Sequence, residues 1–270
     1  MGSDAANGTV FLPNISMACT FGPVDSGIVE ELANQYYNLK GVRVLYVAAG
    51  TGRVIEMSKS GDYDIVMVHA KTLEEQFVAD GFGTERIDLM YNDFVIVGPE
   101  SDPADIRGMD PIEALIRIKE TESHFVSRGD NSGTHVKELE LWEEAGLTLE
   151  ESWYEAWEDG NKGSAVTLRY AKEQQAYMFI DRATYLTLKE EINLVVLVEG
   201  HESLLNFITL IPVNPEKFPW VKYDIVKDFI DFVTSERAQK TIHDFKVDIY
   251  GEPLFFPNSA KWKGKIGDNM

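Results

Sequence analysis

The chain has 270 residues, 44% hydrophobic and 26% charged, with a formal net charge of -20. That is enough apolar chain for one large or two smaller cores. The acidity argues against a nucleic-acid or anionic-membrane surface, each of which needs a basic footprint. One cysteine, Cys19, excludes an internal disulfide, and with no His or basic neighbour in sequence it is a poor nucleophile. No stretch is apolar enough for a membrane span. The first residues, "MGSDAANG", are small and polar and read as a cloning-derived start or a trimmed mature end, not as a signal peptide.

From Asn14 the pattern alternates strand and helix. "NISMACT" is β-prone and ends in a loop, "FGPVDSG", where Asp25 or Ser26 can cap the helix "GIVEELANQYYNL". "VRVLYVAAG" reads as a buried, nearly all-apolar strand, and "GTGRVIEMSKSG" as a tight turn and a helix closed by Gly61. "YDIVMVHA" is a third strand, and "TLEEQFVADGF" a third helix with Thr72 and Glu75 spaced as a capping box. Three such units in succession predict a parallel sheet flanked by helices. "RIDLMYNDFVIVGPESDP" is a long β-prone run that can carry the chain into a second domain. A helix over "DPIEALIRIKET", the strand and loop "SHFVSRGD" and the helix "SGTHVKELELWEEAGL" follow. "SAVTLRYAKEQQAYMFID" is a helix running into a strand, and "INLVVLVEG" is a buried strand. "NFITLIPVNP" can lead back to the first domain, and one or two amphipathic helices complete the pattern.

These elements predict an α/β protein of two lobes, residues 10–92 with 208–270 and residues 93–207, joined by hinge strands near 92–97 and 207–213. Ligands of open α/β sheets sit beyond the carboxyl ends of the strands, and two such lobes enclose a cleft that hinge motion can shut. Three loops share one chemistry there: Thr20 to Gly27, Gly50 to Gly52, and Asp130 to Thr134. Each follows a predicted strand, opens a helix and is rich in small or hydroxyl residues. A helix N-terminus offers unpaired N–H groups and partial positive charge, so such loops can hold an oxyanion; ordinary capping selects the same residue types. Arg128 adds a planar donor fork just before the third loop. The "RGD" at Arg128 to Asp130 is a chance tripeptide rather than an adhesion signal. The five histidines show no metal-ligand spacing, and core or capping roles suit His69 and His135. A hydrolase built on Ser132 and His135 would need two neighbouring cap residues to face each other. The "EE" pairs, Glu74-Glu75 among them, read as solvated helix faces.

"YDIVMVHA", "EEQFVADGFGTERIDLMYNDFVIVGPESDPADI" and "FVSRGDNSGTHVKELELWEEAG" together resemble the tungstate-binding proteins of bacterial ABC importers (TupA type). "AYMFIDRATYL", "LVEGHESLLN", "VNPEKFP" and "GEPLFFP" extend the resemblance from about Ile15 to Pro257. It implies a type II periplasmic-binding-protein fold with an oxyanion between two lobes. It also implies an extracytoplasmic monomer, a membrane ABC permease as partner, no cofactor and no catalysis. Arg128 and Thr134 match the family's "SRGD" and "SGTH" positions. The anion is expected to meet Arg128, the hydroxyls of Thr20, Thr51, Ser132 and Thr134, and backbone around Gly133. Ser164 to Val166 and Asp181-Arg182 are further candidates from the second lobe. The first loop departs from the family's Thr-Thr-Thr-Ser: it reads Cys19-Thr20-Phe21-Gly22. Gly22 keeps the backbone accessible, while Phe21 brings a phenyl group. Tungstate, with molybdate as its neighbour, is the ligand implied. The alternative is a binding or sensor protein of the same fold for another anion or a small carboxylate, with Phe21 as an apolar wall.

Overall fold

The computed structural model describes residues 12–149 and 152–267. The N-terminal octet read above lies outside the described residues.

The first lobe begins with β1 (Asn14–Thr20), α1 (Phe21–Ser26), α2 (Ile28–Lys40), β2 (Arg43–Ala49), α3 (Thr51–Ser58), β3 (Ile65–Val68) and α4 (Lys71–Ala79). The long strand β4 (Ile87–Pro99) leads to α5 (Pro111–Glu120), β5 (Phe125–Ser127), α6 (Gly133–Glu144) and β6 (Tyr154–Ala156). Then come α7 (Ser164–Gln174), β7 (Met178–Asp181), α8 (Arg182–Leu188), β8 (Leu194–Val198) and β9 (Leu205–Pro212). The chain closes with α9 (Tyr223–Val233), α10 (Glu236–Asp244), α11 (Val247–Tyr250), β10 (Phe256–Pro257) and α12 (Ala260–Gly267). Among the described residues no helix is long and apolar enough to cross a membrane.

The main sheet runs β10-β4-β9-β3-β1-β2. Strands β2, β1 and β3 are parallel, as the strand–helix alternation predicts, and β9 lies antiparallel between β3 and β4. Strand β4 pairs with β9 from Ile87 to Asp93 and with β7 and β8 from Phe94 to Pro99. It therefore belongs to both lobes. In the second lobe β5 and β6 are parallel, and β5 joins the β7 side through a hydrogen bond from Val126 N–H to Tyr177 O (2.8 Å). The fold is that of a type II periplasmic binding protein: two α/β lobes joined by two strands.

Where those strands pair, their two faces differ, as pleating requires. Phe256, Tyr91 and Phe207 stand in register across β10, β4 and β9, with ring centroids 5.1 and 5.7 Å apart. One register step on, Asn206 Nδ2 donates to Asn92 Oδ1 at 2.7 Å. One face is thus an aromatic ladder and the other carries a paired amide.

Four local expectations are corrected. Strand β2 lies at the edge of the sheet, not inside it, and alternation places Arg43, Leu45 and Val47 on an exposed face. The loop "FGPVDSG" is helical over α1: Pro23 in the first turn needs no N–H, and Gly27 (φ 90°) ends it and turns the chain into α2. There Ser26 Oγ, and not Asp25, accepts from Ile28 N–H at 3.3 Å. Helix α4 starts at Lys71, so the Thr72–Glu75 box is absent; Glu74 instead accepts from Ala70 N–H at 2.6 Å. Glu74 is also buried rather than solvated. Arg86 (2.7 Å) and the Thr209 hydroxyl (2.8 Å) meet its other oxygen, which is how a buried carboxylate is retained.

Candidate functional site

Every parallel strand points its carboxyl end at the same region, and the candidate residues follow those ends. Thr20 closes β1, Thr51 opens α3 after β2, and His69 follows β3. From the other lobe, Arg128 follows β5 and Asp181 closes β7. The lobes approach each other there. Helix α1 lies against α8, and Asp25 and Asp181 are near enough that Asp181 helps burial to raise the Asp25 carboxyl.

Arg128 is held from two sides. Its Nη1 donates to Ser164 Oγ at 2.9 Å and its Nη2 to Asp130 Oδ2 at 2.5 Å. Its Nε is buried and has no partner. Thr20 Oγ1, in the opposite lobe, is likewise buried without a partner. Buried polar atoms are nearly always paired, and only one other described side chain, Thr84, shares this state. Two of the three orphans are therefore residues that the sequence marks for the site.

The third loop is shaped by its own hydrogen bonds. Asp130 Oδ1 accepts from Ser132 N–H (3.1 Å), His135 Nδ1 from Asn131 N–H (2.9 Å), and Ser132 Oγ from His135 N–H (3.4 Å). That leaves the first-turn amides of Gly133 and Thr134, among the described residues, open to a ligand. Ser132 caps α6 as an acceptor and keeps its own proton to donate. Thr134 is buried. Ser132 Oγ meets the His135 backbone N–H and makes no hydrogen bond to its ring, whose Nδ1 accepts from Asn131 N–H, so the two are not paired as nucleophile and base. Burial keeps its imidazole below the ordinary range.

Thr51 is buried, with Oγ1 3.5 Å from His69 Nε2. The Asn206 side chain lies beside the same imidazole, and burial holds it below the ordinary histidine range. Burial also raises the Asp181 carboxyl, against the Thr184 N–H (2.8 Å) and the Arg128 charge, which favour its ionised form. Beneath Arg128, Glu138 is buried and receives Ser127 Oγ (2.9 Å), Tyr154 OH (2.8 Å) and Trp142 Nε1 (3.3 Å). Burial outweighs these donors and pushes its carboxyl up to about 8.

The structure thus brings Arg128, Asp130 and Ser164 into direct contact, and sets Gly133 of the second lobe against His69 of the first. It does not seat every candidate. Phe21 is 52% exposed on the first turn of α1, so it is no closed apolar wall. Gly22 beside it is exposed, with nothing near an added Cβ. Val166 is exposed and its N–H donates to Gly163 O at 3.2 Å, which removes it as an anion donor. Arg182 is consumed by Asp93 (2.6 Å), Glu199 (2.7 Å) and Glu252 (3.4 Å). Cys19 is buried, and burial pushes its thiol up to about 12, far from a reactive thiolate. Among the described residues no cluster of His, Cys, Asp or Glu is placed to hold a metal ion. Sequence reasoning missed Gly160 and Glu138 and gave His69 only a core role. The Glu138 signal is its helical spacing with His135, Leu141 and Trp142 on one buried face.

The model of a PBP superfamily domain matches residues 14–237. The tungstate-binding protein TupA of Peptoclostridium acidaminophilum is 41% identical over 251 residues, 92% of this chain and 87% of that protein. The structure of a tungstate-binding protein TupA from Desulfovibrio alaskensis G20 superposes with a TM-score of 0.86 at 40% identity, covering 92% and 99% of the two chains. The tungstate ABC transporter structure from Geobacter sulfurreducens gives 0.74 at 42% identity, covering 84% and 96%. With the fold, the facing strand ends and the relatives in agreement, the chain belongs to the PBP superfamily and, within it, to the TupA-type solute-binding proteins of ABC importers.

Proposed function

We propose that this protein captures tungstate, with molybdate as its nearest competitor, between its lobes and delivers it to a membrane ABC permease outside the cytoplasm. The observation that carries this is the pair of buried, unpartnered donors, Arg128 Nε and Thr20 Oγ1, at strand ends of opposite lobes. A tetrahedral oxyanion presents acceptors on all sides and would satisfy both. Around it we place the hydroxyls of Thr51, Ser132, Thr134 and Ser164 and the amides of Gly22, Gly133 and Thr134. Phe21 stands at the entrance. The net charge of -20 does not oppose this. Directed donors at contact distance outweigh surface charges screened over about 10 Å. The two lobes are residues 10–92 with 208–270 and residues 93–207, and the change of partners in β4 after Asp93 supports that division. The anion is cargo, with no resident cofactor and no catalysis, and the working unit is a monomer.

A thermal-unfolding titration of ligand-stripped protein tests the reading. Tungstate at about a thousand times its dissociation constant should add roughly 4 kcal/mol of stability, a rise on the order of 5–15 °C for a chain of this size. Sulfate, phosphate and small carboxylates should leave the transition within about 1 °C of the free protein. A shift with a carboxylate and none with tungstate or molybdate would replace the reading.

Thr20 offers a sharper check. Its hydroxyl makes no hydrogen bond within the protein, so Thr20→Val should leave the ligand-free unfolding temperature unchanged or slightly higher. Tungstate affinity should fall by about 5–30-fold, as expected for one lost buried hydrogen bond. Isothermal titration and calorimetric unfolding of the same preparation read both.

A further inference from the structure

We infer that His69 is a positioning residue for the anion site, fixing the Thr51 hydroxyl and forming the seat on which the 131–134 loop rests when the lobes are shut. The inference rests on the oxyanion reading and extends it to a residue that need not touch the anion.

Three separately anchored parts of the molecule meet on this one ring. The first is the loop of the first lobe, where Thr51 Oγ1 lies 3.5 Å from Nε2. The second is the pair of crossing strands: Asn206 on β9 lies beside the imidazole and donates to Asn92 on β4 at 2.7 Å. The third is the loop of the second lobe. A Cβ on Gly133 would lie 2.5 Å from His69 Cε1, 3.3 Å from Nε2 and 3.4 Å from Nδ1.

Gly133 has an ordinary negative φ, being absent from the left-handed glycines. Close approach to His69, and not backbone conformation, is what requires a glycine there. Any shift of the ring away from an added methyl would disturb its 3.5 Å contact with Thr51 Oγ1. A neutral imidazole has one donor and one acceptor nitrogen, which suits it to one partner on each side. Because the Gly133–His69 contact joins the two lobes, it favours the arrangement in which they meet and so contributes to the affinity for the anion.

A double-mutant cycle with tungstate as probe tests this, using wild type, His69→Ala, Gly133→Ala and the double variant in isothermal titration. In the wild-type background Gly133→Ala should weaken binding by about 10–100-fold, because the added methyl meets the ring. In the His69→Ala background the same substitution should cost under about 3-fold. His69→Gln should recover most of the affinity that His69→Ala loses, since its amide can still pair with Thr51. A core residue of purely structural importance would give equal losses in both backgrounds and no recovery by Gln, and that result overturns the inference while leaving tungstate binding intact. If wild type binds no tetrahedral oxyanion, both the functional reading and the inference fail. If His69→Ala does not fold, as judged by ligand-free unfolding, His69→Asn carries the same cycle with the same two outcomes.

Discussion

Arg128→Ala should weaken tungstate binding by about a hundred- to a thousand-fold, the scale for removing one partner of a buried charge contact. Two effects add. The anion loses a directed cation, whose Nε is buried with no acceptor among the described residues. The carboxylates that this guanidinium balances are also left facing the anion: Asp130, bound at 2.5 Å, and the half-buried Asp181, whose ionised form it favours. Arg128→Lys should fall between wild type and alanine. An ammonium keeps the charge, but its three donors radiate from one nitrogen and cannot reproduce the spread of Nη1, Nη2 and Nε toward Ser164, Asp130 and the anion. Isothermal titration of the three proteins at one ionic strength reads the series. Equal affinity for alanine and wild type would remove Arg128 from the site.

Gly160→Ala should cost about 2–4 kcal/mol of stability, the range for overpacking against atoms that cannot move aside. An added Cβ would lie 1.9 Å from the Arg128 carbonyl oxygen, 2.7 Å from its carbon and 2.8 Å from Cα. All three are backbone, so relief must come from shifting the Arg128 strand end or the turn after β6. Either shift moves the guanidinium, and a displacement near 1 Å is enough for a large loss of function. Affinity should therefore fall at least about 10-fold together with stability. Gly52→Ala is the control: nothing lies within 4 Å of its added Cβ, and in a helix the change should be neutral or slightly favourable. Urea unfolding and titration of both variants separate the cases. A Gly160→Ala protein as stable as wild type would show that the Arg128 backbone has slack that the geometry denies it.

The architecture was legible because its signals are local. Apolar runs alternating with amphipathic helices gave the parallel units β1, β2 and β3, and the long run ending in "VIVGP" gave the shared strand β4. Helix-opening loops rich in small and hydroxyl residues pointed to Thr20, Thr51 and the 130–134 loop as candidates, because strand ends and helix starts are set by nearest neighbours. What escaped depends on partners distant in sequence. Strand β2 is as apolar as a central strand, yet it lies at the sheet edge with Leu45 and Val47 on an exposed face. Glu74 reads as a helix-surface acid until Arg86 and Thr209 arrive from other elements. Gly160 reads as an ordinary turn glycine, since nothing local shows that it lies on the Arg128 backbone. His69 acquires its partners only when α3, β9 and α6 converge. Val166 shows the opposite error, a residue at the right place on its helix whose amide is already used.

The most direct test of the central claim is the anomalous diffraction of crystals grown with tungstate, recorded at a tungsten absorption edge. The account predicts one strong peak per molecule, between the lobes, within hydrogen-bonding reach of Arg128 and Thr20. A peak elsewhere, or none at saturating tungstate, would contradict it.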